Sequence, residues 1–178
     1  MKLHSWRPNM SIKNRIIKLE KEQNCPLLWL SEKQELGIMY RVLVIEDEAS
    51  ERSPLKQILE KHQLKVEQAG SINQAIEDYP LASFNLIITD LRLPGQSGTD
   101  IIQLAQGVPV LVMTSYASLR SAVDAMKLGA VDYIAKPFDE TDIIESVQNI
   151  LKKQANTFEK SEQRSRVQQI SDLIYGRC

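Results

Sequence analysis

The sequence predicts an α/β fold: five strands alternating with five helices, linked by right-handed crossovers into a doubly wound parallel sheet with helices on both faces. Three observations predict it. Short apolar, β-branched runs recur along residues 41–152, separated by segments of helical period. Several of those runs close on a charged or hydroxyl side chain, as "NLIITD" closes on Asp90. Cap and turn residues, among them Ser71, Pro94-Gly95 and Gly129, mark the boundaries.

The elements follow in order. "RVLVIED" is a first strand that ends in acids. "SPLKQILEKHQ" is a helix with Leu55, Ile58, Leu59 and His62 on one side. Pro54 lies near its start, and proline is tolerated only in a first turn. Either the helix begins late, capped by Ser53, or its start is distorted. "KVEQAG" is a short strand with a glycine stop, and "SINQAIEDYP" a helix capped by Ser71 with Pro80 beyond its end. In "NLIITD", Leu86, Ile87, Ile88 and Thr89 form a third strand suited to burial on both faces. "GTDIIQLAQG" is a short helix, and "VPVLVMT" the fourth strand. "ASLRSAVDAMKLGA" is a helix that Gly129 stops. "VDYIAKP" is the fifth strand. "DETDIIESVQNILKK" is the last helix, with acids in its first turn and lysines at its end to match the helix dipole.

The totals bound the function. A chain of 178 residues holds one ordinary domain plus extensions, and 43% hydrophobic residues suffice for a core. A net charge of −1 excludes a nucleic-acid surface spread over the whole protein, though not a local basic patch. Cys25 and Cys178 match neither a metal spacing nor a disulfide framework, which makes a reducing cytoplasm the expected location. "PLLWL" is too short for a signal segment or a membrane span.

The flanks differ from the centre. Residues 1–39 form a basic, polar extension with one helical candidate, "SIKNRIIKLEKEQ". It is either an upstream start ahead of Met39 or a poorly packed appendage. Residues 153–178 read as a helical linker or extension. Ile144, Leu151 and Phe158 keep a seven-residue spacing that Ser165 breaks, so a dimerising coiled coil has only weak support.

Taken alone, Asp90 has two readings. It caps the turn before Pro94-Gly95, or it faces a ligand at the carboxyl end of a strand. The other strand ends decide between them. Glu46 and Asp47 end the first strand, Thr114 the fourth and Lys136-Pro137 the fifth. Each has an ordinary explanation by itself, as a solvated turn acid, a strand-end threonine or a surface lysine. In a parallel sheet, however, all these ends share one edge. Carboxylates gathered there repel one another and need a cation, and oxygen-only ligands favour Mg²⁺ or Ca²⁺. The Lys136 charge and the Thr114 hydroxyl suit a phosphoryl group. A carboxylate can itself accept that group, and Asp90 is central among these parts.

"VLVIEDE", "LIITDLRLPGQSG", "VLVMTSYAS" and "AMKLGAVDYIAKPF" resemble the response-regulator receiver domain of two-component signalling. The resemblance covers residues 40–152 and implies a flavodoxin-like sheet in the order 2-1-3-4-5. It implies that Asp90 accepts a phosphoryl group from a phosphohistidine on a sensor histidine kinase. Asp47 and Asp90 would bind Mg²⁺ with the backbone carbonyl of Arg92, and Glu46 through a metal-bound water. Thr114 would bond a phosphoryl oxygen and Lys136 pair with the group, with a cis peptide bond before Pro137. Tyr133 holds the aromatic switch position and would move with Thr114. Arg92 and Tyr116 hold the positions that tune phosphate lifetime, and large side chains at both imply slow self-dephosphorylation.

"AMKLGAVDYIAKPF" is most like receivers attached to sigma-54-dependent transcription activators, and "DLIYGRC" resembles the entry to their ATPase domain. The expected module is thus a signalling domain, not a turnover enzyme, that regulates transcription through a downstream domain. A homodimer through the helix 4–strand 5–helix 5 face or the C-terminal helix is the implied assembly. No phosphate-binding loop or helix-turn-helix is present, so no specific DNA binding by this chain alone is expected. Two other functions compete. A degenerate receiver acting as a scaffold would lack the acceptor set that is intact here. A phosphatase or dehalogenase with an aspartate nucleophile usually carries a second acid two residues on, where this chain has Arg92.

Overall fold

A computed structural model describes residues 39–115 and 118–175, with side chains through residue 157 apart from that of Leu119. The N-terminal extension with Cys25, together with Tyr116 and Cys178, lies outside the described residues, as does the side chain of Phe158.

Five parallel strands form the sheet: β1 (Arg41–Ile45), β2 (Lys65–Ala69), β3 (Leu86–Asp90), β4 (Val110–Thr114) and β5 (Asp132–Ala135), in the order β2-β1-β3-β4-β5. The helices between and after them are α1 (Ala49–Lys61), α2 (Ile72–Asp78), α3 (Asp100–Leu104), α4 (Leu119–Leu128) and α5 (Glu140–Tyr175). All of β3 and β4 is buried, because helices cover both faces.

Alternation along each strand splits the core in two. Val42 and Val44 of β1 and Leu86 and Ile88 of β3 face Leu55 and Leu59 of α1 and Ile143 and Val147 of α5. Their neighbours Leu43, Ile45 and Ile87 face Ile72 of α2, Ile101 of α3 and Ala125 of α4. Each large aliphatic side chain buried in this way contributes about 1.5–3 kcal/mol. At the rim, Glu140 ties α5 to α1. It accepts from Lys61 Nζ at 2.8 Å and meets His62 Nε2 at 2.9 Å. Lys61 first, then His62, holds its carboxyl below the ordinary glutamate value.

Caps match the sequence in two places. The Ser71 hydroxyl accepts from the Gln74 backbone N–H at 3.1 Å, starting α2. Gly129 closes α4 with a φ of 109°, a left-handed value that glycine adopts without strain.

Of the two expectations for the first helix, the late start capped by Ser53 is not what forms: the helix begins at Ala49, and Pro54 lies inside it. The proline removes a hydrogen bond to the carbonyl of Ser50. Both residues are exposed, so water can satisfy that carbonyl. The last helix runs 36 residues to Tyr175, about 54 Å at 1.5 Å per residue, continuous with the helical extension expected from residue 153. Ile143, Ile144, Val147, Ile150 and Leu151 bury its first half against the sheet. Beyond them, a composition rich in Gln, Lys, Glu and Arg favours helix by its intrinsic propensity. The sequence also gave no sign of the two-stranded ribbon Arg92–Leu93 with Gln96–Ser97.

One polar group in α5 goes against its surroundings. Gln148 is fully buried, and neither its Nε2 nor its Oε1 has a hydrogen-bond partner among the described residues. Gln148→Met keeps the length and removes both polar atoms. It is expected to stabilise the fold by about 1–2 kcal/mol, read as a higher urea midpoint. A lower midpoint would mean that the amide is satisfied.

Candidate functional site

Strand register assembles the site. Ile45 of β1 pairs with Thr89 of β3, so Glu46 and Asp90 follow at the same level. Asp90 pairs with Met113 of β4, and Thr114 pairs with Ala135 of β5. Lys136 comes next, its backbone N–H donating to the Thr114 carbonyl at 2.8 Å. Thr114 is buried at this edge. The Lys136–Pro137 peptide bond is cis.

Lys136 is the centre of the arrangement. Its ammonium donates to Asp90 Oδ2 at 2.5 Å, to Glu46 Oε2 at 2.6 Å and to Glu51 Oε2 at 2.5 Å. Three acceptors use all three of its N–H donors. Burial alone would push the lysine pKa down, but its hydrogen bonds to Asp90, Glu46 and Glu51 outweigh it and hold the pKa well above its ordinary 10.5. The lysine's contribution to stability is therefore fully present at neutral pH and is lost as pH rises through that raised value. Burial raises the Glu46 carboxyl above its ordinary value, and Lys136 offsets only part of the rise.

The remaining oxygens are taken by backbone. Asp90 Oδ1 accepts the Arg92 N–H at 2.7 Å, so the same aspartate caps the turn and faces the lysine. Glu46 Oε1 accepts the Glu48 N–H at 3.2 Å. Arg52 Nη1 donates to the Glu46 carbonyl at 2.5 Å and reaches that of Asp47 at 3.5 Å. An open cavity of about 570 Å³ adjoins the lysine, lined in part by Glu46, Glu51, Ser115 and Phe138.

Carboxylate oxygens of Glu46, Glu51 and Asp90 lie within 4.8 Å of one another. Such a set of hard oxygen donors fits a divalent cation such as Mg²⁺. Asp47 is exposed and its carboxylate is not part of that group. Glu51 is, although the sequence motifs did not single it out. Tyr133 is half-buried against the α2–α4 side of the core, and its hydroxyl meets that of Ser121 at 3.0 Å. Ser121 in turn forms the capping box of α4 with Ser118.

The family model described as "Response regulator receiver domain" matches residues 42–148. This chain belongs to the response-regulator receiver family. It is 30% identical over 141 residues to the transcriptional regulatory protein FixJ of Rhizobium meliloti, covering 75% of this chain and 69% of that protein. It is 36% identical over 103 residues to the response regulator protein PilR of Pseudomonas aeruginosa, covering 56% of this chain but only 23% of PilR. Among solved structures, a response regulator receiver domain protein from Clostridium thermocellum superposes with a TM-score of 0.62 at 27% identity, covering 67% of this chain and 99% of that one. The beryllofluoride-activated NtrC4 receiver domain dimer gives 0.60 at 28% identity, covering 65% and 98%. Receivers are signalling domains, and no described helix of this one is long and apolar enough to cross a membrane.

Two variants test how the receiver site is held. A Cβ on Gly98 would lie 1.7 Å from the Asp90 carbonyl oxygen and 2.9 Å from Thr89 Oγ1. Gly98→Ala is therefore expected to cost about 3 kcal/mol or more, read as a lower unfolding midpoint. A neutral substitution would show that this backbone yields. Lys136→Met leaves the buried Glu46 and Asp90 carboxylates without their counter-charge and should cost about 3 kcal/mol. A divalent cation should recover more stability in this variant than in the wild type, and equal recovery would contradict the electrostatic account.

Proposed function

We propose that the chain is the phosphorylation-controlled switch of a two-component response regulator, with Asp90 as phosphoacceptor. One observation carries the reading. The Asp90 carboxylate lies at the carboxyl edge of the sheet, hydrogen-bonded to a half-buried lysine and flanked by further carboxylates. An acceptor oxygen of Asp90 attacks the phosphorus of a kinase phosphohistidine. The P–N bond breaks, the O–P bond forms, and the imidazole departs to regain a proton. Hydrolysis reverses the state, with water attacking phosphorus to release inorganic phosphate and restore the carboxylate. Receiver chemistry of this kind is stoichiometric labelling of the protein itself, with no turnover of a separate substrate.

Mg²⁺ would be held by Asp47, Asp90 and the Arg92 carbonyl, with Glu46 reaching it through a water, and would neutralise charge on the phosphoryl oxygens. Lys136 pairs with the transferred group, and Thr114 donates its hydroxyl to one of its oxygens. Tyr133 follows Thr114 and reshapes the face of α4, β5 and α5, where a second receiver docks. The C-terminal half of α5 is the alternative dimer contact. Arg92 and Tyr116 shield the acyl phosphate from water. Residues 40–152 form the receiver unit, and residues 153–178 lead toward an output domain that regulates transcription. FixJ is a transcriptional regulatory protein longer than the segment matched here, which supports that output.

The test is incubation with acetyl phosphate or beryllofluoride and Mg²⁺, followed by intact mass or calorimetry. One equivalent should be taken up by the wild type and none by Asp90→Asn. Labelling that persists in Asp90→Asn, or multiple turnover of small phosphate esters, would sink the reading.

A further inference from the structure

Glu51 is bonded to Lys136 as closely as the acceptor is. It extends from the first turn of α1, one residue before the arginine that binds the Glu46 and Asp47 carbonyls. The three carboxylates around the ammonium are not equivalent. The Glu46 side chain is 3% exposed and that of Asp90 9%, whereas that of Glu51 is 44% exposed. When an ion pair opens, a buried carboxylate is left without solvent, but an exposed one is rehydrated at little cost. Glu51 is therefore the partner that Lys136 can release.

A dianionic phosphoryl group on Asp90 would make two demands on this cage. It needs the lysine to turn toward the new oxygens, and it places further negative charge beside the carboxylates already present. Glu51 opposes both. It holds one of the three N–H donors of the ammonium on the side of α1, and it contributes a full negative charge.

We propose that Glu51 is a positioning residue acting through Lys136: it holds the ammonium toward α1 in the unphosphorylated receiver and thereby weakens capture of a phosphoryl group at Asp90. The inference rests on the reading of Asp90 as phosphoacceptor. Glu51 acts as a restraint on the site. Its removal increases phosphoryl capture, whereas loss of Lys136 or Thr114 decreases it. The same side chain would make a receiver of this kind less responsive to small phosphoryl donors than one with a neutral residue at that position.

The experiment is titration of beryllofluoride, with Mg²⁺ saturating, into the full chain by isothermal calorimetry. Glu51→Gln keeps the side-chain length and removes the charge. Its dissociation constant should fall roughly fivefold, the size of one exposed ion pair. That ratio should shrink in high salt, which screens the exposed pair. Glu51→Asp, which retains the charge, should stay closer to wild type. All three proteins should unfold at similar temperatures, since Glu51 lies at an exposed site. Equal affinity in Glu51→Gln and wild type overturns the proposal. So does weaker, Mg²⁺-limited binding in Glu51→Gln, because it would make Glu51 a metal ligand. Asp90→Asn separates the two levels. Binding by the wild type and none by Asp90→Asn leaves the acceptor reading standing whatever Glu51 does. No binding by the wild type removes both.

Discussion

One ammonium compensates three carboxylates, and the local structure is organised around that imbalance. A parallel sheet places the carboxyl ends of its strands along one edge, so whatever ends β1, β3 and β5 must coexist there. In this chain the residues are Glu46, Asp90 and Lys136. Two buried acids at such an edge would repel each other in a medium of low dielectric, where the interaction is strong. Lys136 makes the arrangement tolerable, and in doing so links β5 to β1, to β3 and to the first turn of α1. The backbone takes the other oxygens, at Arg92 for Asp90 and at Glu48 for Glu46.

Much of this was legible because the sheet turns chain order into spatial order. Each functional side chain ends a strand or follows it directly, so finding the strands located Glu46, Asp90, Thr114 and Lys136 on one edge without knowledge of their distances. Asp90 caps its turn through Oδ1 while Oδ2 meets Lys136, so the turn-cap role does not use up the carboxylate. Glu51 was not legible, for a specific reason. Pro54 left open whether the helix began late, after a Ser53 cap, or had a distorted start, so the direction of Glu51 was undefined. The helix instead begins at Ala49, because a missing hydrogen bond at an exposed Ser50 carbonyl costs little. The earlier start places the Glu51 carboxylate over the strand ends. A break in heptad spacing at Ser165 limits coiled-coil pairing without stopping the helix, which runs to Tyr175 as the helical extension expected beyond residue 153.

The position of Gly98 shows how little slack the backbone has behind Asp90. The chain leaves Asp90, turns through Pro94-Gly95 with Gly95 at a φ of 77°, and returns so closely that a Cβ at Gly98 would overlap the Asp90 carbonyl. The Gly98 N–H is bonded to the Leu91 carbonyl at 2.9 Å, which pins the return. A carboxylate held this way has its main chain fixed on one side by the sheet and on the other by the ribbon. What remains free to rearrange is the side chains that meet it, and among these the exposed Glu51 is the least constrained.

The other end of the site is linked to the surface by equally short steps. Thr114 is the last residue of β4, and α4 begins at Leu119 after the cap residue Ser118. The Ser121 hydroxyl that completes the cap also meets the Tyr133 hydroxyl on β5. The first turn of α4 and the orientation of Tyr133 are thus not independent. Breaking the contact between the two hydroxyls leaves each needing a new partner, which is available only where water reaches it. Both residues are partly exposed, so that exchange is inexpensive here. The rigid side of the receiver is therefore the strand edge that carries Asp90, and its compliant sides are the two helix starts, α1 through Glu51 and α4 through Ser121. A charge placed on Asp90 meets a fixed backbone and two adjustable neighbours. That combination lets a local electrostatic change alter a surface without disturbing the core.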